Sequence, residues 1–326
     1  MGRMTDSQRS LGEVVTNLPA VRAAKKVNTL GPVHRRLIEP LDDSEQGREL
    51  AYQHTVFCQT SLPYRDPGDD VREWKRRQGA VVLEVQAGKI ADLSAQDLVQ
   101  VGLPWGTKPR LILAHLNAEA LRQRSAEIEI ESSLSAFVKR IRGFDNGREI
   151  RAFKEQLGRL SASLIRLAVF REDSAFQVDT KIITAFELWG AANDERQRVL
   201  WPSFIKLSKE YFVSLQAHAV PLYEGDLAAL AHSAMALDIY AWLAQRLCRV
   251  EPMKPAFIPW TAIKEQFGPD YGRMDKFKAV FRVALRQVMA RYDRARLDLD
   301  ERGMTLHHSL PPVTKRQIAL SPKSGT

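Results

Sequence analysis

The sequence predicts an α+β fold, mainly helical, in which two basic helical units follow one another. In Phe257–Ser309, a short helix, a Gly-Pro stop, a longer amphipathic helix and a hairpin pattern occur in this order. A similar order of helices and strands precedes it, from Lys108 to Ile205. The length of 326 residues suits two domains with tails better than one core. Helix, turn, helix and hairpin make a winged helix, so we predict tandem winged-helix (helix-turn-helix) domains.

The C-terminal unit has clear helix start and stop signals. Pro259 suits a first helical turn, and Gly268 with Pro269 ends the helix. A longer helix is predicted from Arg273 to Tyr292, with its apolar residues gathered on one face. The predicted core face comprises Phe277, Val280, Phe281, Ala284, Leu285, Val288 and Met289.

The other face of this helix is basic. Residues 273–296 hold eight Lys and Arg against two acids, Asp275 and Asp293, whereas a merely solvated face would mix the signs. Lys278, Arg282 and Arg286 are four apart and are predicted to form an uninterrupted stripe. We expect DNA contacts here, and a solvated surface helix is the alternative. The predicted contacts are Arg273, Lys276, Lys278, Arg282, Arg286 and Arg302.

The hairpin after this helix is the predicted wing. Alternation over Arg296–Asp300 and Met304–His308 predicts two strands, and Glu301-Arg302-Gly303 predicts the turn between them. His307 and His308 are adjacent and point to opposite faces of a strand, which favours phosphate or base contact over a metal site.

The first half repeats this layout. A strand is predicted at Ala80–Val85, and three helices follow it: Lys108–Gln123, Leu134–Ile141 capped by Ser132 and Ser133, and Gly147–Ser163 opened by Asn146. Glu155 shares the basic face of the third helix, so a solvated face is a stronger alternative here. Strands are then predicted at Leu164–Val169, Phe176–Val178, Ile182–Trp189 and Val199–Ile205. The predicted DNA contacts are Arg148, Arg151, Lys154 and Arg159.

The domain organisation follows from these patterns. Residues 1–47 are predicted to be a basic flexible arm, 48–219 an N-terminal winged-helix domain for dimerisation and DNA contact, 220–310 a C-terminal DNA-binding domain, and 311–326 a disordered tail. A helix, Ser208–Ala219, is predicted to lead into a linker, Val220–Leu222. Asp226 is predicted to cap one long apolar helix, Leu227–Leu247.

Composition favours a polyanionic partner and offers no catalytic pattern. The net charge is +9, and the two cysteines, Cys58 and Cys248, are far apart and are expected to be reduced and mostly buried. Gly102–Lys108 resembles a phosphate loop but lacks Lys directly after its last Gly. No signal peptide or membrane span is evident, so we expect a cytoplasmic protein with no membrane contact. We expect no cofactor, no metal and no enzymatic activity.

Two stretches carry a family resemblance. Leu103–Ile141 holds a proline-aromatic-glycine turn, an apolar helix with the pair Glu119-Ala120, an acidic strand and a Ser-capped short helix, and Asn146–Val169 continues the pattern. In these features the chain resembles the plasmid-encoded RepA-type replication initiators of Gram-negative bacteria. The resemblance covers roughly residues 48–310 and is more specific in the first half.

The resemblance implies a function. It implies two winged-helix domains that bind repeats (iterons) at a plasmid origin, opening of adjacent AT-rich DNA, and recruitment of the host initiator and replicative helicase. It also implies a homodimer in solution that represses and a monomer that initiates on the repeats. The alternatives are a winged-helix transcriptional regulator, which would include an autorepressor, and a nickase or relaxase.

Overall fold

The computed structural model describes residues 49–92, 95–129, 134–142, 146–171, 174–186 and 204–314. The predicted arm of residues 1–47, the cap of Ser132 and Ser133, and residues 315–326 of the predicted tail lie outside the described residues.

Helices and short strands alternate along the chain, so the fold is mixed α and β, with more helix than strand. The helices are α1 (Thr55–Gln59), α2 (Thr107–Gln123), α3 (Leu134–Arg142), α4 (Gly147–Ala162), α5 (Lys209–His218), α6 (Glu224–Leu230), α7 (Ala234–Arg246), α8 (Trp260–Phe267) and α9 (Met274–Met289). The strands of the first half are β1 (Leu50–His54), β2 (Glu73–Gln78), β3 (Val81–Gln86), β4 (Lys89–Asp92), β5 (Asp97–Gln100), β6 (Glu127–Glu129), β7 (Leu164–Arg171), β8 (Ser174–Thr180), β9 (Ile183–Phe186) and β10 (Phe204–Leu207). The remaining strands are β11 (Ala219–Tyr223), β12 (Ala256–Pro259), β13 (Leu297–Leu299) and β14 (Gly303–Leu306).

The strands form several small antiparallel sheets. The largest in the described residues has the order β2-β3-β7-β8, and β6-β10-β9 forms another. In the second half the order is β12-β14-β13, with Leu297 opposite Leu306 and Ile258 opposite Met304. The sequence predicted β13 and β14 but not β12, because four residues before a helix leave little alternation to detect.

Two helices are buried almost all round and form the centre of the molecule. α2 packs against β1, α4 and α7, and α7 packs against α1 and α9. The two predicted domains, residues 48–219 and 220–310, are called the first and second halves. Buried apolar side chains of both halves form one continuous core. The predicted start of α4 is confirmed, because the Asn146 side chain accepts a hydrogen bond of 2.9 Å from the Glu149 backbone N–H.

The predicted long helix of residues 227–247 is wrong, because it is two helices. α6 ends at Leu230, and α7 begins after Ser233, whose hydroxyl accepts from the Ala236 backbone N–H. Asp226 does not cap a helix; it is buried in the first turn of α6, where it accepts from Tyr240 Oη at 2.8 Å and Arg291 Nε at 3.0 Å. The apolar pattern runs through the break since both helices are buried.

The predicted linker Val220–Leu222 is also wrong. It lies in β11, which pairs antiparallel with β1 in register from Leu50 opposite Tyr223 to His54 opposite Ala219. Proline at position 221 is compatible with a two-stranded sheet because each strand has a free edge. The domain division at residues 219 and 220 stays a prediction.

Two smaller predictions need correction. Cys58 is buried, as expected, but Cys248 is exposed. At the start of the predicted disordered tail, Val313 is buried, and Tyr292 donates to the Leu310 carbonyl at 2.7 Å. The chain therefore stays packed on the second half at least as far as Val313.

A buried ion pair joins the two halves. Arg110 of α2 donates to both carboxylate oxygens of Asp238 on α7, at 2.7 and 2.9 Å. Its other N–H groups donate to backbone carbonyls, including Leu62 at 2.7 Å and Gly106 at 2.6 Å. Burial raises the pKa of the Asp238 carboxyl, and the Arg110 guanidinium opposes that increase. Both side chains are buried, and their donors and acceptors have hydrogen-bond partners.

We expect Asp238→Asn to lower the free energy of unfolding by about 3–5 kcal/mol, because it leaves the Arg110 charge buried without its counter-ion. Urea unfolding followed by circular dichroism measures this loss. Arg273→Ala is the matched control, since it breaks an Arg–Asp pair with both side chains exposed, and it should change stability little. Equal effects of the two substitutions would contradict the structural role of the buried pair.

His54 is a second buried polar group, and it lies in β1, the strand that pairs with β11. Its Nδ1 accepts from the Val56 backbone N–H at 3.2 Å, so its Nε2 carries the proton and donates to Ser214 Oγ at 2.9 Å. The ring borders a largely apolar cavity of about 630 Å³ between α5 and the sheet that contains β7 and β8. Burial, and secondarily the nearby His218, lower the pKa of His54 to about 4.

This shift predicts acid sensitivity. The unfolded chain protonates His54 near pH 6.5 and the folded chain only near pH 4, so the free energy of unfolding should fall as the pH decreases through that window. The loss due to this residue is about 3 kcal/mol at most. Urea unfolding at pH 7 and pH 5 should show a smaller difference for His54→Gln than for the unsubstituted chain. His232→Gln, at an exposed histidine, should leave the difference unchanged.

Candidate nucleic-acid interface

The sharp turn between α8 and α9 positions the candidate interface. α8 ends at Phe267, and a Cβ atom at the next residue, Gly268, would lie 2.4 Å from the Phe277 ring. Only glycine allows the backbone to approach the ring this closely. α9 then begins after Arg273 and packs back across α8.

The inner face of α9 is aromatic and buried. Phe277 and Phe281 have no exposed surface, and the Phe281 ring centre lies 5.7 Å from that of Trp260 and 5.6 Å from that of Phe267. Ala284, Leu285 and Val288 are buried too, which confirms most of the predicted core face. Val280 is the exception, because 41% of its surface is exposed. It lies at the margin of the buried stripe, where the described elements cover only part of its surface.

Two basic residues of α9 are engaged within the protein. Lys278 Nζ lies 5.0 Å and the Arg282 guanidinium 5.4 Å from the centre of the Trp260 ring. Both also approach Glu301 in the turn of the hairpin: Lys278 Nζ is 3.1 Å from its carbonyl oxygen, and Arg282 Nη2 is 3.5 Å from its carboxylate. The prediction of an uninterrupted basic stripe is therefore wrong, because folding brings an acid of the hairpin against it.

The outward face of α9 carries the charges that remain free. Lys276 and Arg286 are exposed, and neither has an ion pair among the residues that the structure describes. Between them the helix exposes Ala279, Val280 and Val283. Arg273 is exposed but donates to Asp275, whose pKa it lowers.

The hairpin β13–β14 projects beside this face. The Asp300 carboxylate closes its turn by accepting from the Arg302 and Gly303 backbone N–H groups, both at 2.8 Å, and these bonds lower its pKa. Gly303 is required for close approach, since a Cβ there would lie 2.2 Å from the Ile258 carbonyl oxygen of β12. Arg302 is exposed at the tip, 3.6 Å from Asp300 and over the Phe257 ring. The adjacent residue, Glu301, contacts Lys278 and Arg282, so the tip of the hairpin lies beside α9.

The two histidines after β14 have protein partners. His307 Nε2 is 2.7 Å from Asp298 Oδ2, and His308 Nδ1 is 2.9 Å from the Val250 carbonyl oxygen. Within the described residues, no three His, Cys, Asp or Glu side chains lie together in a way that could hold a metal ion.

The basic face of α4 is divided between surface and interior. Arg148, Arg151 and Lys154 are exposed, so they stay candidates for contact. Arg159 is not available, because it is buried and donates to the Leu103 carbonyl oxygen at 3.3 Å. Its guanidinium lies 3.1 Å from Asp69 and 2.8 Å from Glu155, so the solvent-face prediction for Arg159 is wrong. Asp69 is remote in sequence, which explains why the helical pattern alone could not show this pair.

The structure also brings together basic residues that the sequence did not single out. Arg77 of β2 joins Arg246, the last residue of α7, and Arg249, which follows that helix, around a cleft of about 270 Å³ between the halves. Nothing in their local sequence patterns signals this, since they come from separate elements. No helix in the described part of the chain is long and apolar enough to cross a membrane.

Comparison with known proteins supports the resemblance drawn from the sequence. Residues 103–261 match the family model RepA_C, described as plasmid encoded RepA protein. The match confirms the resemblance over α2, α3, α4 and α7, and it ends at the start of α8. The outward face of α9 and the hairpin lie beyond it. No curated protein matches the chain.

Two crystal structures of domains 2 and 3 of RctB are similar in shape. One, of selenomethionine derivatives, has a TM-score of 0.49 at 8% identity and covers 80% of this chain and 97% of that one. The other has a TM-score of 0.47 at 9% identity and covers 74% of this chain and 83% of that one.

The two basic residues of α4 that the structure separates should respond differently to substitution. Arg159→Ala should lower the free energy of unfolding by about 2 kcal/mol, because it removes buried charge-assisted hydrogen bonds. Arg148→Ala, at an exposed position of the same helix, should change it by less than about 0.5 kcal/mol. Urea unfolding measures the stability of both variants. Equal losses of stability would contradict the burial of Arg159.

Proposed function

We propose that this chain, whose residues 103–261 match the model of plasmid encoded RepA protein, is a replication initiator that binds repeated sites at a plasmid origin. The observation that carries the DNA-binding part is the outward face of α9, where exposed basic residues are free of ion pairs in the described chain. In this proposal the chain binds DNA and catalyses no reaction.

We propose that the second half is a winged helix. Three helices, α7, α8 and α9, precede the hairpin β13–β14, and β12 adds a third strand at its base. In such a unit the last helix enters the major groove and the hairpin reaches the adjoining backbone. In this proposal α9 is the helix that enters the groove, and Arg302 of the hairpin contacts the backbone. Trp260 supports the arrangement, since its N–H donates to the Asp300 carbonyl at 2.9 Å and ties the hairpin to α8.

The first half is proposed as a second winged helix. α2, α3 and α4 precede the strands β7 and β8, and the exposed side chains of Arg148, Arg151 and Lys154 share the outer face of α4. Glu155 forms an ion pair with Arg159, which partly neutralises the negative charge that Glu155 adds to this face. The net charge of +9 for the whole chain favours a polyanionic partner.

Further steps of initiation follow from the resemblance alone. We propose opening of adjacent AT-rich DNA, recruitment of the host initiator and replicative helicase, repression by a dimer and initiation by a monomer.

The double substitution Lys276→Ala with Arg286→Ala tests the interface. Each phosphate contact that is removed should reduce the slope of log K against log salt by about one, so the loss of two contacts should reduce it by about two. Binding to origin DNA should therefore weaken and become less salt-dependent. If Arg286 instead contacts guanine, the preference at that base should fall by about 1–3 kcal/mol. Fluorescence anisotropy across a salt series measures both effects, and circular dichroism should remain unchanged because both side chains are exposed.

Two controls accompany this experiment. Glu301→Gln removes the negative charge that faces Lys278 and Arg282, so it should act in the opposite direction and strengthen binding. Lys209→Ala removes an exposed cation from α5 in the first half and should have no comparable effect. If the double variant binds origin DNA as tightly as the unsubstituted chain, α9 is not the DNA-binding helix.

A further inference from the structure

The centre of the outward face of α9, between Lys276 and Arg286, is apolar where a DNA-binding face is expected to be polar. Val280 is 41% exposed and Val283 47%, and Ala279 is exposed beside them. Valine is a poorer helix former than alanine or leucine, so neither valine is needed to form the helix. No described element covers them completely. Their exposure points to a partner that supplies an apolar surface at this place.

The charges around these residues restrict what that partner can be. Lys276 lies one turn before Val280, and Arg286 lies about one turn after Val283. The partner must therefore be apolar at its centre and negative on both sides. Duplex DNA meets this requirement in the major groove, where phosphates line the rims and the thymine C5-methyl group is the apolar feature on the floor.

The longer basic side chains of α9 leave this centre open. Lys278 and Arg282 turn towards Trp260 and Glu301 on the side of the hairpin. The short side chains Ala279, Val280 and Val283 allow the helix backbone to come close to a groove floor. Apolar contact is the interaction that these side chains can make with base edges.

We propose that Val280 and Val283 contact thymine methyl groups in the major groove and so determine part of the sequence preference of this chain. The inference rests on the proposed function, because it assigns specificity to the same helix. It predicts that T·A pairs lie under α9 at fixed positions of each repeat, and that the methyl group is what is recognised there.

Replacement of thymine by deoxyuridine tests this directly, since it removes only the methyl group and keeps base pairing. Duplexes selected from a random pool by the full chain are made with thymine or with deoxyuridine, and their affinities are compared by anisotropy. The unsubstituted chain should bind the deoxyuridine duplex about fourfold more weakly for each recognised methyl group that is removed, the value of one buried CH₂ group.

Protein variants test which side chains contact the methyl groups. Val280→Ala and Val283→Ala should each reduce the thymine-to-deoxyuridine ratio, and the double variant should bring it near one. Val213→Ala is the matched control at another exposed valine, which lies on α5, and it should keep the full ratio. Arg286→Ala should weaken binding to both duplexes while keeping the ratio.

The outcomes separate the two proposals. Equal binding of thymine and deoxyuridine duplexes by the unsubstituted chain overturns this inference but leaves the proposed function standing. A ratio that persists in the double valine variant also overturns it, because the methyl groups would then be contacted elsewhere. Failure to select any duplex from the pool would refute the proposed function itself.

Discussion

The bidentate ion pair between Arg110 and Asp238 is the interaction on which the rest of the structure depends. It joins the central helix of the first half, α2, to the central helix of the second, α7, inside a continuous apolar core. Such a pair is stable only when every donor is matched, and the Leu62 and Gly106 carbonyls complete that match. The antiparallel pairing of β1 with β11 adds a second link nearby.

The position of α7 in turn places the candidate interface. α7 packs against α9, and the buried Asp226 accepts from Tyr240 of α7 and from Arg291 beyond the end of α9. Trp260 then links α8 to the hairpin and lies under Lys278 and Arg282. Aromatic packing therefore fixes the position of α9. It thereby also fixes the positions of the valines and cations that are exposed on the outward face of this helix.

Arginine serves two purposes in this chain. Arg76, Arg110 and Arg159 are buried and bound to acids or carbonyl groups, so they contribute to the fold although each also adds to the net positive charge. Arg148 and Arg286 are exposed and without ion pairs in the described residues. Net charge alone therefore overstates the charge available to a polyanion, because the buried arginines cannot contact it.

The sequence by itself determined the start of α4, the turn between α8 and α9 and most of the buried face of α9, because capping and helical periodicity are local properties. Asn146 and Gly268 act within one turn of their helices, and Phe277 and Phe281 follow the repeat of a single helix. Only the tertiary structure decided that Arg159 is buried against Asp69, that Glu301 faces Lys278 and Arg282, and that Val220–Leu222 is a strand. Each of these depends on a partner from another element, and the distance between two elements in space is not encoded in the pattern of either one.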